Sequence, residues 1–498
     1  MYIAYDVKNG IEYAKLCIST RDGKQVTKDY INLGRVINKE KGIYKNREKG
    51  IFSYNLKTDV YNDAPIEDVP LTKTRGKELL ILDFGDIFFL DTFIKNNGLN
   101  IPIEAIGYGN SDTFNAMVAY YSVCSMANCH AQDWWEGSYA RILYPKANLS
   151  SQRVSDFLAA IGDEYSQRRY FNEYIKLLER LDTDTGNVLI DSTGLPNSIH
   201  FPLTAIVNHN GEISNEVRLI YVVQQNTGLP IYFRYCPGNV TDASTLVRCL
   251  AELKEHKVNI KYAILDAGYY LEDNIREFFE NKISFVTRMK GNLKLYKDIV
   301  AEHLSSLETK ENLFEYNGRY VYLKCVPCNI AGYNAYAYIG LDIERKSHET
   351  SKTFRRAKDK KMGTRQVYNK IQEQGVFILI SSRRITRSDL LPLYYTRQQI
   401  EQVFDIGKNY AEMLPLRIHS EETFRGHLLL TFIVTVIMKK LQDALKKTSI
   451  TPMSLLLNLR NQKCKVFKDK IITQEAFKKA NECYRIFNIQ CPVSIKHV

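Results

Sequence analysis

The period of hydrophobic and polar positions changes several times along the chain, and each change predicts a different kind of element. The first 75 residues hold short β-prone runs, among which LGRVINKEKGIYKNREKG interleaves cations with Ile37, Ile43 and Tyr44. From about Phe84 to Leu181 the spacing becomes helical, with Ser150 or Ser151 as the expected N-cap before QRVSDFLAAIGDEY. At Asn187 the character changes again, and the apolar run VLI ending in Asp191 reads as a strand. VRLIYVVQQ and LPIYFRYCP then flank Asn226, Thr227 and Gly228, a hairpin turn signal. Thr241 or Asp242 opens the helical segment DASTLVRCLAELKEH, followed by a strand in KYAILDAGYY, a helix in LEDNIREFFENK and a strand in ISFVTRMK.

Strand, hairpin, helix, strand, helix, strand is the order of an α/β, RNase H-like mixed sheet with helices on its faces. Between about Asn292 and Gln374 the β-prone runs RYVYLKCVP and YNAYAYIGL interrupt it, and GVFILIS resumes as a buried strand. The expected organisation is a β-rich basic segment over 1–80 and a helical region over 81–182. The core follows in two parts, 183–291 and 375–445, around a β-rich insertion subdomain at 292–374, and 446–498 reads as a helical tail. The helical region suits either the reading of DNA ends or protein interaction. Lys352 to Lys370 holds eight basic residues and one acidic, which predicts a solvated loop or, just ahead of the third acidic element, a phosphate-contacting arm.

Composition narrows the function classes. Hydrophobic residues make up 45% and charged residues 25%, as in an ordinary globular chain. The formal charge of +12 makes a polyanionic partner worth testing against the motifs. The N-terminus MYIAYDVKNGIEY lacks a signal-peptide pattern, and the apolar run Leu428 to Met438 is too short to span a membrane and reads as a buried helix. The expectation is a cytoplasmic protein with no membrane partner. Ten scattered cysteines read as reduced, mostly core thiols; Cys325 and Cys328 have knuckle spacing but no second pair to complete a zinc site. No Gly-rich loop with Lys-Ser or Lys-Thr suggests ATP-driven work.

The candidate chemistry is acidic. Asp191 and Asp266 each follow a short apolar strand and precede small residues, in DSTG and DAGYY. A carboxylate at the end of a buried strand is costly unless it is hydrogen-bonded, paired or bound to a cation, and turn capping is the simpler use of either one alone. A third element, LLPLYYTRQQIEQVFDIGKNY, is expected as one helix capped by Ser388 or Asp389 with Pro392 in its first turn. Arg397, Glu401 and Lys408 lie three, seven and fourteen positions after Tyr394. At about 100° per residue these four share a stripe roughly 60° wide, while Val403 and Ile400 turn toward a core. Taken alone, the stripe is also what an exposed helix with an ordinary i, i+4 ion pair shows. Asn239 and Asp242 in PGNVTDAST either support the site or simply form a turn and a helix cap, and the cap is the favoured reading because Thr and Asp are preferred there. His200 and His209 read as loop or surface residues.

Tyr394, Arg397, Glu401 and Lys408, with the two upstream aspartates and PGNVTDAST between them, resemble insertion-sequence DDE transposases with a Y-(2)-R-(3)-E-(6)-K signature. The resemblance covers roughly Asn187 to Leu441. It implies metal-dependent cleavage at the ends of an insertion sequence and strand transfer into target DNA, by a cut-and-paste route. It implies Asp191, Asp266 and Glu401 as catalytic metal ligands for two Mg2+ ions, with Mn2+ as substitute and Asp191 bridging. Tyr394, Arg397 and Lys408 are then the DNA-contacting residues. The implied partners are terminal inverted repeats, target DNA and a second copy of the chain in a synaptic complex, in the bacterial cytoplasm near the nucleoid. Competing readings are a nuclease of the same fold without strand transfer, and a catalytically inactive repressor that binds the ends.

Overall fold

The computed structural model describes residues 1–8, 10–22, 25–64, 80–181, 183–197, 203–209, 212–360, 364–411, 413–414, 416, 418, 420–467 and 470–496. The chain divides into two compact units.

One unit comprises Met1–Asn97, Gly107–Gly162 and Ala444–Val498. It opens with six antiparallel strands paired in chain order, whose inward residues Ala14, Leu16, Leu33, Tyr44, Phe52 and Tyr54 form a small core. Helices at Gly85–Asn96, Ser111–Val123 and Ser151–Ile161 follow, the last with Ser150 at its N-cap position. The C-terminal stretch departs from the expected helical tail. Besides helices at Pro452–Arg460 and Lys478–Ile486, it supplies three short strands that join Leu80–Asp83 in a four-stranded sheet. The reason is a period of two in KCKV, where Cys464 and Val466 are buried and Lys465 is exposed.

The other unit, Gly98–Ile106 and Asp163–Asp443, carries the acidic motifs. Its mixed α/β sheet has ten strands among the described residues. They are β1 (Asn187–Pro196), β2 (Ala205–His209), β3 (Glu212–Gln224), β4 (Pro230–Pro237), β5 (Tyr262–Leu265), β6 (Ser284–Arg288), β7 (Leu313–Tyr316), β8 (Arg319–Ile330), β9 (Tyr333–Asp342) and β10 (Val376–Ser381). The order is β4-β3-β1-β5-β6-β10-β9-β8-β7, with β2 beside β3. Only β1·β5 and β5·β6 are parallel among these pairs. That fits the unbroken apolar runs Val188 to Ile190 and Ala263 to Leu265, buried on both faces.

Besides a short helix at Asn100–Ala105, the helices of this unit are α1 (Glu164–Arg180), α2 (Asp242–Glu255), α3 (Glu272–Glu280), α4 (Lys294–His303), α5 (Ile343–Lys360), α6 (Thr364–Gln372), α7 (Arg387–Tyr395), α8 (Gln398–Tyr410) and α9 (Glu421–Leu445). The expected boundary at 182/183 moves to 162/163, because α1 presents Tyr170, Phe171 and Tyr174 to Phe432 of α9 at ring separations of 5.4–6.2 Å. These rings, with Tyr221 and Phe233 of the sheet, form one aromatic core that α1 completes. Leu428 to Met438 is a buried part of α9, and no helix among the described residues is long and apolar enough to cross a membrane.

Strands β7 to β9, within 292–374, extend the main sheet beyond β10. The basic run from Lys352 is helical, on α5 and α6, with residues 361–363 outside those described. His200 also lies outside the described residues, and His209 ends β2. Cys325 and Cys328 lie three apart on β8, so the strand sends them to opposite faces.

The single helix expected around the third acid is two. Thr386, not Ser388 or Asp389, stands at the N-cap of α7, and Pro392 lies in its interior. Between α7 and α8 the bonds tighten to i, i+3: Arg397 N–H donates to Tyr394 O, Gln399 N–H to Thr396 O and Ile400 N–H to Arg397 O. Thr396 Oγ1 reaches back to Leu393 O at 2.7 Å, a local side-chain bond that favours the break.

Candidate active site

The parallel ladder sets the two aspartates side by side. Its last pair is Ile190 with Leu265, so Asp191 and Asp266 are the next residues on neighbouring strands. Only β5 ends there. β1 runs on to Pro196 against β3, which makes Asp191 a mid-strand residue opposite Tyr221, and not the strand terminus expected from VLID. Cross-strand partners share a face. Tyr221 stacks on Phe404 of α8 with centroids 5.4 Å apart, so Asp191 faces the helix that carries Glu401. Asp266 is held from behind by Thr287 Oγ1, which donates to its carbonyl at 3.2 Å.

Arg397 ties the two elements together. Its guanidinium donates to Asp191 Oδ2 at 2.9 Å and lies 3.2 Å from Glu401 Oε1. Burial opposes its charge, yet the carboxylates of Asp266 and Asp191 outweigh that and raise its pKa. The Asp191 carboxyl is pushed up to about 6, first by burial and then by Asp266 and Asp242, against the lowering effect of the Ser192 N–H and Arg397. Tyr394 is buried at the end of α7, and burial followed by the charge of Asp266 raises its phenol to about 12. Lys408 donates to Thr193 Oγ1 at 2.7 Å and to Gly194 O at 3.0 Å, two and three residues past Asp191 on the same strand. Burial lowers its pKa. Ile400 and Val403 are fully buried, as the stripe required, while the Glu401 side chain is 58% exposed.

All six expected site residues therefore gather around β1, β5 and the α7–α8 junction, though not as a closed triad. Among the described residues no three His, Cys, Asp or Glu side chains form a group able to hold a metal ion. Glu401 is engaged by Arg397. The donor chemistry nevertheless fits a hard divalent cation: Asp191 and Asp266 offer carboxylate oxygens from neighbouring strands, and their mutual repulsion is among the causes, after burial, that raise the Asp191 carboxyl.

Asp242, Ser192 and Arg218 also converge here. Asp242, favoured from the sequence as a helix cap, accepts instead from Ser192 Oγ at 2.5 Å and from Arg218 Nη1 at 2.6 Å. Thr241 occupies the N-cap position of α2. The available signal was Arg218, a lone cation inside the apolar strand VRLIYVVQQ, which needs an anion when half-buried.

The family model described as the transposase DDE domain matches residues 184–437. Among solved structures, the chain is similar to the piggyBac transposase in a cryo-EM synaptic complex with hairpin DNA. The two are 11% identical with a TM-score of 0.34, over 75% of this chain and 70% of that one. No curated protein matches. The family match spans just over half of the 498 residues and encloses both strand-borne aspartates, Arg397, Glu401 and Lys408, so the chain belongs to the family of transposases with a DDE domain.

Proposed function

We propose that the chain cleaves DNA at the ends of an insertion sequence and joins them to target DNA, using Asp191, Asp266 and Glu401. The observation that carries this reading is the placement of Asp191 and Asp266 at adjacent positions on parallel strands, with Arg397 linking Asp191 to Glu401. The order β4-β3-β1-β5-β6 supports an RNase H-like core, three antiparallel strands followed by two parallel ones. Two divalent ions, Mg2+ or Mn2+, bound by Asp191, Asp266 and Glu401 would activate a water nucleophile at neutral pH and stabilise the leaving 3′-oxygen.

The protein's own groups prepare that step. Asp191 is fixed through both oxygens, Oδ1 by the Ser192 N–H at 2.8 Å and Oδ2 by Arg397. A DNA phosphate would draw Arg397 by its forked donors, which frees Glu401 to turn toward the two aspartates. Lys408 would offer a point charge to the backbone beyond the cut, and Tyr394 would pack or bond beside it. The partners on this reading are the terminal inverted repeats, target DNA and a second protomer pairing the two ends.

The test is cleavage and joining of a fragment carrying the element's ends, comparing the natural protein with Asp191→Ala and Glu401→Ala. Cutting and joining with Mg2+ or Mn2+ should appear only in the natural protein, while all three bind the ends. Binding without cutting by the natural protein would instead establish an end-binding repressor, and cutting without joining a nuclease.

A further inference from the structure

Alternation along β1 puts Asp191 and Thr193 on the face toward α8 and Ser192 on the opposite face, toward α2. On that second face stands a fourth acid. Asp242 Oδ1 accepts from Ser192 Oγ at 2.5 Å and from Arg218 Nη1 at 2.6 Å, and Arg218 also reaches Ser192 Oγ at 3.1 Å and Gly238 O at 3.4 Å. The Asp242 and Arg218 side chains are only 22% and 18% exposed. The other Asp242 oxygen lies close beside the second acidic loop: a Cβ built on Gly268, two residues past Asp266, would lie 2.6 Å from Asp242 Oδ2. One carboxylate thus abuts the residue after Asp191 and the loop after Asp266. Ser192 completes the connection, since its backbone N–H holds Asp191 Oδ1 at 2.8 Å.

We propose that Asp242 is a positioning residue of the active site: with Arg218 it anchors Ser192 and braces Gly268, fixing Asp191 and Asp266 at the separation needed to share cations. This rests on the proposed function. Asp242 is ion-paired with Arg218 and acts through hydrogen bonds and contact, without touching a metal ion or DNA. Partners that orient metal ligands from behind typically change metal affinity about 10- to 100-fold when removed.

The experiment measures Mn2+ binding by electron paramagnetic resonance on the full chain bound to a pre-cleaved end fragment, which requires no turnover. Ser192→Ala keeps the backbone N–H and removes the hydroxyl; it should weaken Mn2+ binding about ten-fold while leaving the melting temperature and end binding unchanged. Ser192→Thr, which restores a hydroxyl, should recover the affinity. Asp242→Ala should weaken it similarly, and the double variant Ser192→Ala, Asp242→Ala no further, because both act through one connection. Natural affinity in Ser192→Ala, or additive losses in the double variant, overturns the positioning role and leaves the proposed function intact. If the natural protein binds no Mn2+ and cuts no ends, the functional reading fails and this inference with it.

Discussion

Single residues in the catalytic unit are tuned mainly by burial, and His427 and Asp191 pull stability in opposite directions. His427 on α9 is buried with Nε2 3.3 Å from Met413 O, and its imidazole is depressed from 6.5 to about 4 by burial, against the raising effect of that bond. Between those values the unfolded chain binds the extra proton, so stability is intact above pH 6.5 and falls as pH drops toward 4. The loss can reach about 3 kcal/mol. Asp191 acts oppositely: its folded pKa of about 6 lies above the ordinary 3.8, so its contribution is lost as pH rises through that window. The comparison that isolates His427 is therefore with His427→Gln. On going from pH 7 to pH 5 the denaturant midpoint of the natural protein should fall relative to that of the variant, and an unchanged gap between the two would show that another group governs acid lability.

At the scale of elements, the site depends on how closely β3, β1 and their connections approach. Gly238, just past β4, sits where a Cβ would fall 2.2 Å from the backbone carbonyl of Glu216 on β3. Backbone there cannot step aside without parting the strand pair. Gly238→Ala should cost about 1–3 kcal/mol in urea unfolding. Gly194 looks tighter, with Glu216 Oε2 at 2.0 Å from its built Cβ, but a carboxylate tip can rotate away. Gly194→Ala should therefore be the milder change, and the reverse order would mean that the chain just past β4 is the more yielding part. The α7–α8 junction matters in the same way: its 3₁₀ turn, not a continuous helix, sets the direction from which Arg397 reaches Asp191.

For the whole molecule, charge and stoichiometry are the testable quantities. A net charge of +12 favours association with a polyanion, and the proposed cutting of two element ends requires two active sites. Light scattering on the DNA-bound protein should give a particle with two 57.6 kDa chains and two end fragments. A complex that stays at one chain per fragment under joining conditions would count against synapsis by a homodimer.

The sequence by itself determined the local elements of the catalytic unit and the residues offered for chemistry. Apolar runs bounded by turn signals predicted β1, β3, β4, β5 and β6, and Asn226 to Gly228 predicted the hairpin, because strand period and turn chemistry are local properties. The spacing of Tyr394, Arg397, Glu401 and Lys408 was legible for the same reason. Three things were decided only by the tertiary structure. Strand register made Asp191 and Asp266 neighbours, since a pairing partner 75 positions away is invisible to local pattern. The shared aromatic core claimed α1 for the catalytic unit, and pairing with Leu80–Asp83 drew strands from the expected helical tail. Asp242 went to Ser192 and Arg218 because a half-buried guanidinium must find an anion, and folding brought that anion from another element.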